Sequence, residues 1–177
     1  MTAAARRQRA VAWTGHRPEL FADPAAAEAR VATRAETLCA EHGGAVVFHC
    51  GGQRGVDTWA AQAALRLGLA LHLYLPLPIP LFAADWAAAD RAALEATWEA
   101  AVMRTVVDPE GAHPAAAYRA RNALLAREAE LLVAVWTGRG GGGTAETIAF
   151  ARALGRPVEE HLLPAASYIP QPGERGV

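Results

Sequence analysis

Two glycine-rich turns carry the residue types best suited to holding an anion: Gly51-Gly52-Gln53-Arg54-Gly55 and Gly138-Arg139-Gly140-Gly141-Gly142-Gly143-Thr144. Each follows an apolar run and leads into a helical pattern. Glycine lets the backbone come close to a ligand and adopt positive φ. The free N–H groups and dipole of a helix start favour an anion by about 0.3–1 kcal/mol when exposed, and by up to ~2 kcal/mol when partly buried. Neither turn matches GxGxxG or the P-loop with its lysine. Either turn alone is explained by the need for a tight reversal. Two at one sheet edge predict amides from both converging on a shared anion.

Several side chains stand where they would complete such a site. Arg17, Arg54 and Arg139 fall in turns, and Gly15-His16-Arg17 forms a further candidate turn. Arg119 and Arg121 line a later helix, where Asn122 shares a face with Tyr118 and Leu125 by three- and four-residue spacing. An amide on a packed face needs a partner, which is either the ligand or a neighbouring turn. Asp57 opens its helix as a dipole partner, and any ligand contact it makes would be with ribose hydroxyls, since its charge repels phosphate. Thr144 is a cap or a phosphate donor. Glu146 is a dipole partner or a general acid/base. His16 and His49 are candidate pocket residues, but nothing pairs them with a nucleophile or a metal.

The elements that must position these residues alternate between strand and helix. Strands are expected at Arg9–Thr14, Ala45–Cys50, Leu69–Leu75, Thr105–Val107, Leu131–Trp136 and Pro157–Leu162. Helices are expected at Ala25–His42, Val56–Leu67, Pro114–Ala129 and Thr144–Leu154, with one or two more within Ala83–Val102 holding Trp86 and Trp98. Strands apolar throughout need cover on both faces. The alternation therefore predicts an α/β, Rossmann-like, doubly wound and mainly parallel sheet with helices on both faces. Ligands bind such sheets outside the carboxyl ends of the strands, where all the glycine turns fall.

Length and composition bound the rest. A chain of 177 residues is about one domain long, so residues 1–163 are read as one nucleotide-binding domain and 164–177 as a loose tail. Hydrophobic residues make up 53% and charged residues 20%, a globular composition. All 17 basic residues are arginine, the better fork for phosphate. A net charge of −1 gives no global basic field for gripping a long nucleic acid. A small nucleotide is the favoured partner, nucleic acid the less favoured one, and a second copy of the chain a further candidate. Cys39 and Cys50 have no metal-ligand spacing and are read as free thiols. No metal or cofactor is expected. The N-terminal stretch lacks the apolar core of a signal peptide and no run approaches a membrane span, so the expected location is the cytoplasm.

The segments GGQRGVDTWAAQAAL and YRARNALLAREAELLVAVWTGRGGGGTAETIAFARALGRPV resemble the Rossmann-like core of the DprA/Smf and LOG proteins, the SLOG superfamily. Thr14-Gly15-His16-Arg17-Pro18 is similar to the opening motif of the stand-alone YpsA-like members. The resemblance spans most of residues 9–160. It implies a pocket for nucleotides, nucleotide derivatives such as ADP-ribose-like compounds, or single-stranded DNA as in DprA. The matching positions are Gly51, Gly52, Arg54, Gly55, Asp57, Arg121, Asn122, Gly141, Gly142, Gly143 and Thr144. A LOG-like phosphoribohydrolase acting on a nucleoside 5'-monophosphate is a further reading, with Glu146 and Arg121 as candidate catalytic residues and Glu146 or Asp57 stabilising the positive charge that develops on the ribose. Against the LOG pattern PGGxGTxxE, however, Thr147 falls in the glutamate position, and Glu146 lies about 100° around the helix.

Overall fold

A computed structural model describes residues 7–167. The start of the N-terminal stretch and most of the expected tail lie outside them. Strands β1 (Arg9–Gly15), β2 (Val46–Cys50), β3 (Ala70–Leu75), β4 (Met103–Val106), β5 (Leu131–Trp136) and β6 (Val158–Leu162) form one sheet in the order β4-β3-β2-β1-β5-β6. Every pairing is parallel. The chain moves outward from β1 through β4, then returns to β5 on the other side of β1. The strand order therefore reverses between β1 and β5, the switch point at which such sheets take ligands.

Helices cover both faces, as strands like Val46–Cys50, buried at every residue, require. Because side chains alternate along a strand, β1 sends Val11 and Trp13 to one layer and Ala12 to the other. The first layer packs α1 (Pro24–Glu41), α2 (Val56–Arg66) and α4 (Ala88–Ala100) through Val31, Leu38, Ala60, Ala64 and Leu94. The second packs α5 (Pro114–Glu128) and α6 (Gly143–Ala153) through Leu125, Ala126, Ile148 and Ala151. Asp23 caps α1 by accepting from the N–H of Ala26 at 3.0 Å, with Pro24 at the first helical position, where a missing N–H costs nothing.

The middle of the chain departs from expectation. A short helix α3 (Ile79–Phe82) precedes α4, since Pro78 can cap it and Pro80 falls in its first turn, where no intrahelical donor is lost. Trp86 and Trp98 pack against the larger core. At the other end, the N–H of Ala22 donates to the Pro164 carbonyl at 3.0 Å and that of Ala166 to Leu20 at 3.0 Å, tying the start of the expected tail to the β1–α1 connection. Among the described residues no helix is long and apolar enough to cross a membrane.

Beneath α5, His49 and His72 sit opposite each other on neighbouring strands. His49 Nδ1 pairs with Tyr74 Oη at 2.9 Å, and the His72 ring meets the His49 ring edge-on at 4.8 Å. Burial first, then the neighbouring His72, lowers the His49 pKa from 6.5 to about 4. The unfolded chain therefore takes up this proton at a higher pH than the fold does. The His49 contribution to stability is complete above pH 6.5 and fades as pH falls to 4, by about 3 kcal/mol. Urea titrations across that range should give this loss as the difference between wild type and His49→Gln, which cancels the other titrating groups. A pH-independent difference would refute it.

Candidate functional site

At the switch point lies a cavity of about 670 Å³, walled by the carboxyl ends of the central strands and by α5. The β1 turn contributes Thr14, Gly15, His16, Arg17 and Leu20; the β2–α2 turn contributes Gln53 and Asp57. Helix α5 contributes Tyr118, Arg119, Arg121, Asn122 and Leu125, and the β5–α6 turn Gly141, Gly142, Gly143, Thr144 and Glu146. The two glycine turns thus border one space.

They do so in different ways. In the first turn the glycines make room for protein. A Cβ on Gly51 would lie 1.8 Å from Arg121 Nη1 and 2.7 Å from Asp57 Oδ2. At Gly55, with φ 85°, it would meet the His16 carbonyl at 2.4 Å. Several N–H groups of this turn are engaged within the protein: Gln53 donates to Asp57 Oδ2 at 3.2 Å, Arg54 to Gln53 Oε1 at 2.9 Å, and Val56 to the His16 carbonyl at 3.3 Å. Arg54 turns away to Glu19 at 3.1 Å and lies over the Trp86 ring at 5.8 Å. Gly51, Gly52, Arg54 and Gly55 are not among the residues that line the cavity.

The second turn is open. A Cβ on Gly140, Gly141 or Gly142 would meet nothing within 4 Å. No side chain caps α6, whose N-cap is Gly142 at φ 96°. The leading amides of that helix, unsatisfied inside any α-helix, face a space with glycine on its rim. Arg139 lies on the exposed outer part of the loop, off the cavity wall.

Arg121 is the most buried arginine of the cavity. Its Nη1 donates to the Gly51 carbonyl at 2.5 Å and lies 3.4 Å from Asp57 Oδ2. Arg121 is 6% and Asp57 5% exposed. Burial raises the Asp57 carboxyl to about 6, although Arg121 and the backbone of Gln53 and Gly51 pull it down. Burial likewise lowers the Arg121 guanidinium against the pull of Asp57. Arg121 Nε is buried without a partner.

Asn122, 4% exposed, sends Nδ2 to Glu146 Oε2 at 2.9 Å, while Arg119 Nη1 donates to Glu146 Oε1 at 2.5 Å. Glu146, not Thr147, faces the cavity: Thr147 is buried and bonds back to the Gly143 carbonyl at 2.7 Å. His16 Nε2 pairs with Thr137 Oγ1 at 3.1 Å, and burial, then Arg17, lowers its pKa. The ring stays neutral near pH 7. His49 is sealed beneath α5, away from this cavity.

Sequence reasoning missed Gln53, Leu20 and Thr137. Tyr118 was legible as the neighbour of Arg121 and Asn122 at three- and four-residue spacing. Among the described residues no cluster of three or more His, Cys, Asp or Glu could hold a metal ion. Cys50 is buried, and desolvation, with the nearby Asp57 adding to it, pushes its thiol pKa up.

No family model and no curated protein matches the chain. Solved structures do. DNA processing protein A (DprA) from Streptococcus pneumoniae is similar at TM-score 0.62 and 19% identity over 88% of this chain. This chain spans 50% of the length of that DprA chain. The protein TM1055 is similar at TM-score 0.56 and 20% identity, covering 85% of this chain and 72% of that one. The molybdenum cofactor carrier protein MCP from Chlamydomonas reinhardtii is similar at TM-score 0.53 and 22% identity, covering 87% and 76%.

The contrast between the turns is measurable. Gly51→Ala should lower stability by about 1–3 kcal/mol, because the new methyl must expel a buried guanidinium. Gly141→Ala, which meets nothing, should stay within about 0.5 kcal/mol of wild type. Denaturant midpoints check both; equal effects at the two positions would show that the first turn has slack.

Proposed function

We propose that this chain, which carries the Rossmann-like fold of the DprA/Smf–LOG (SLOG) superfamily, binds a small phosphate-bearing nucleotide. A nucleoside monophosphate or an ADP-ribose-like compound fits this reading, with the chain acting as a binding or sensing domain of YpsA-like kind. One observation carries it: the uncapped amides of α6, ringed by open glycines, share a cavity with Arg121, whose buried Nε has no partner. A helix N-terminus favours an anion, and a buried unpaired donor is costly until an acceptor arrives. Arg17 and Arg119 add charge at the mouth. Gln53, Asn122 and neutral His16 supply groups that can read sugar and base, and Tyr118, Leu20 and Leu125 supply apolar surface.

A LOG-like hydrolysis of the N-glycosidic bond is the second reading, favoured by Glu146 on the cavity wall. In that case Glu146 would stabilise positive charge developing on the ribose, and Arg121 would hold the ligand. Release of free adenine from AMP, lost in Glu146→Ala, would support it. Binding of single-stranded DNA is less favoured, because the net charge of −1 offers no track for a polymer.

Thermal denaturation with millimolar AMP or ADP-ribose tests the main reading. A ligand at 100 times its dissociation constant should add about 2.7 kcal/mol, which for this size raises the midpoint by roughly 5–10 °C. No shift with any phosphate-bearing nucleotide would reject the proposal.

A further inference from the structure

We infer that Glu146 is an internal occupant of an anion-binding pair on the cavity wall, holding Arg119 and Asn122 until a ligand phosphate displaces it. The inference rests on the nucleotide reading above. Both oxygens of Glu146 are engaged, one by Arg119 Nη1 at 2.5 Å and the other by Asn122 Nδ2 at 2.9 Å. A carboxylate bridging an arginine and an amide in the first turn of α6 occupies donors that suit a phosphate oxygen. It is also a poor arrangement for a free general base.

The cavity holds a fixed carboxylate and a movable one. Asp57 and Arg121 have side chains only 7% exposed apiece, with further bonds from Arg121 to the Gly51 carbonyl and from the Gln53 amide to Asp57. Arg119, by contrast, is 67% exposed at its side chain, and Glu146 is 28% exposed. An ion pair so open to water is weak and easily exchanged for a better acceptor. Arg119 also rests over the Phe150 ring, its Cζ 5.1 Å from the centroid, so its guanidinium keeps a support when Glu146 leaves. The unpartnered Nε of buried Arg121 in the same cavity is an independent sign that the fold leaves donors for a ligand.

Glu146 then acts as a specificity-determining residue through its charge. Its repulsion grows with the charge of the incoming group, so ligands with more phosphates meet a steeper threshold. Calorimetric titration of AMP and ATP into wild type, Glu146→Gln and Arg119→Ala tests this. Glu146→Gln should bind AMP about ten-fold more tightly than wild type, with a larger gain for ATP, as expected for removal of a nearby like charge. Arg119→Ala, altered at an exposed position that should not disturb folding, should bind AMP at least about five-fold more weakly, having lost a charged donor.

Wild-type binding of AMP with unchanged or weaker binding by Glu146→Gln would overturn the occupant role while leaving the nucleotide reading intact. So would undiminished binding by Arg119→Ala. No binding of either nucleotide by any of the three folded proteins would overturn both.

Discussion

Arg121 reaches from α5 across the carboxyl edge of the sheet to the Gly51 carbonyl and the Asp57 carboxylate. Taking two charges out of water costs several kcal/mol each, and a buried pair recovers that only when further hydrogen bonds complete it. Here the Gly51 carbonyl and the Gln53 amide supply them. The compensation is incomplete. Desolvation prevails on both partners, raising Asp57 and lowering Arg121. Much of the local architecture follows from this contact. Gly51 has no room for a side chain because Arg121 fills it, and the β2–α2 turn closes around Asp57. Helix α5 is pinned with Tyr118, Arg119 and Asn122 along the cavity.

The pin also divides labour between the two turns. A turn that wraps a buried ion pair must spend its amides on holding its own shape, as Gln53, Arg54 and Val56 do. The β5–α6 turn carries no such duty. Its glycines look onto open space, and its helix, like α2, lacks a side-chain cap, in contrast to α1 with Asp23. Helix starts without caps leave donors that water or a ligand must satisfy.

Much of the scaffold was legible because its signals are local. Runs such as LLVAVW bounded by glycine turns read as buried parallel strands, and a sheet so wound has one place where its order reverses. Asn122 was legible as a polar side chain on a packed face. Other features were hidden because they depend on distant partners. Gly51 is glycine because of a side chain 70 residues away, and nothing within its own turn separates room for Arg121 from room for a ligand. Arg54 read as an anion-binding arginine until the fold brought Glu19 beside it. The proline-rich middle yielded α3 only once Pro78 and Pro80 were seen to tolerate a helix start. At α6 the LOG pattern places Thr147, not Glu146, in the glutamate position. The helix begins at Gly143, and its phase turns Glu146 to the cavity and Thr147 to the core.

The charges of the cavity are largely balanced within the protein. Its wall holds three arginines, Arg17, Arg119 and Arg121, against two carboxylates, Asp57 and Glu146. Asp57 occupies Arg121 and Glu146 occupies Arg119, while Arg17 lies 3.5 Å from Glu19. His16 adds nothing to the balance, since burial keeps it neutral. Almost every positive charge therefore has an internal partner, and little field extends beyond the mouth. Long-range attraction of a phosphate backbone needs unpaired cations along a surface. The α6 amides border the cavity, and the Nε of Arg121 is buried without a partner.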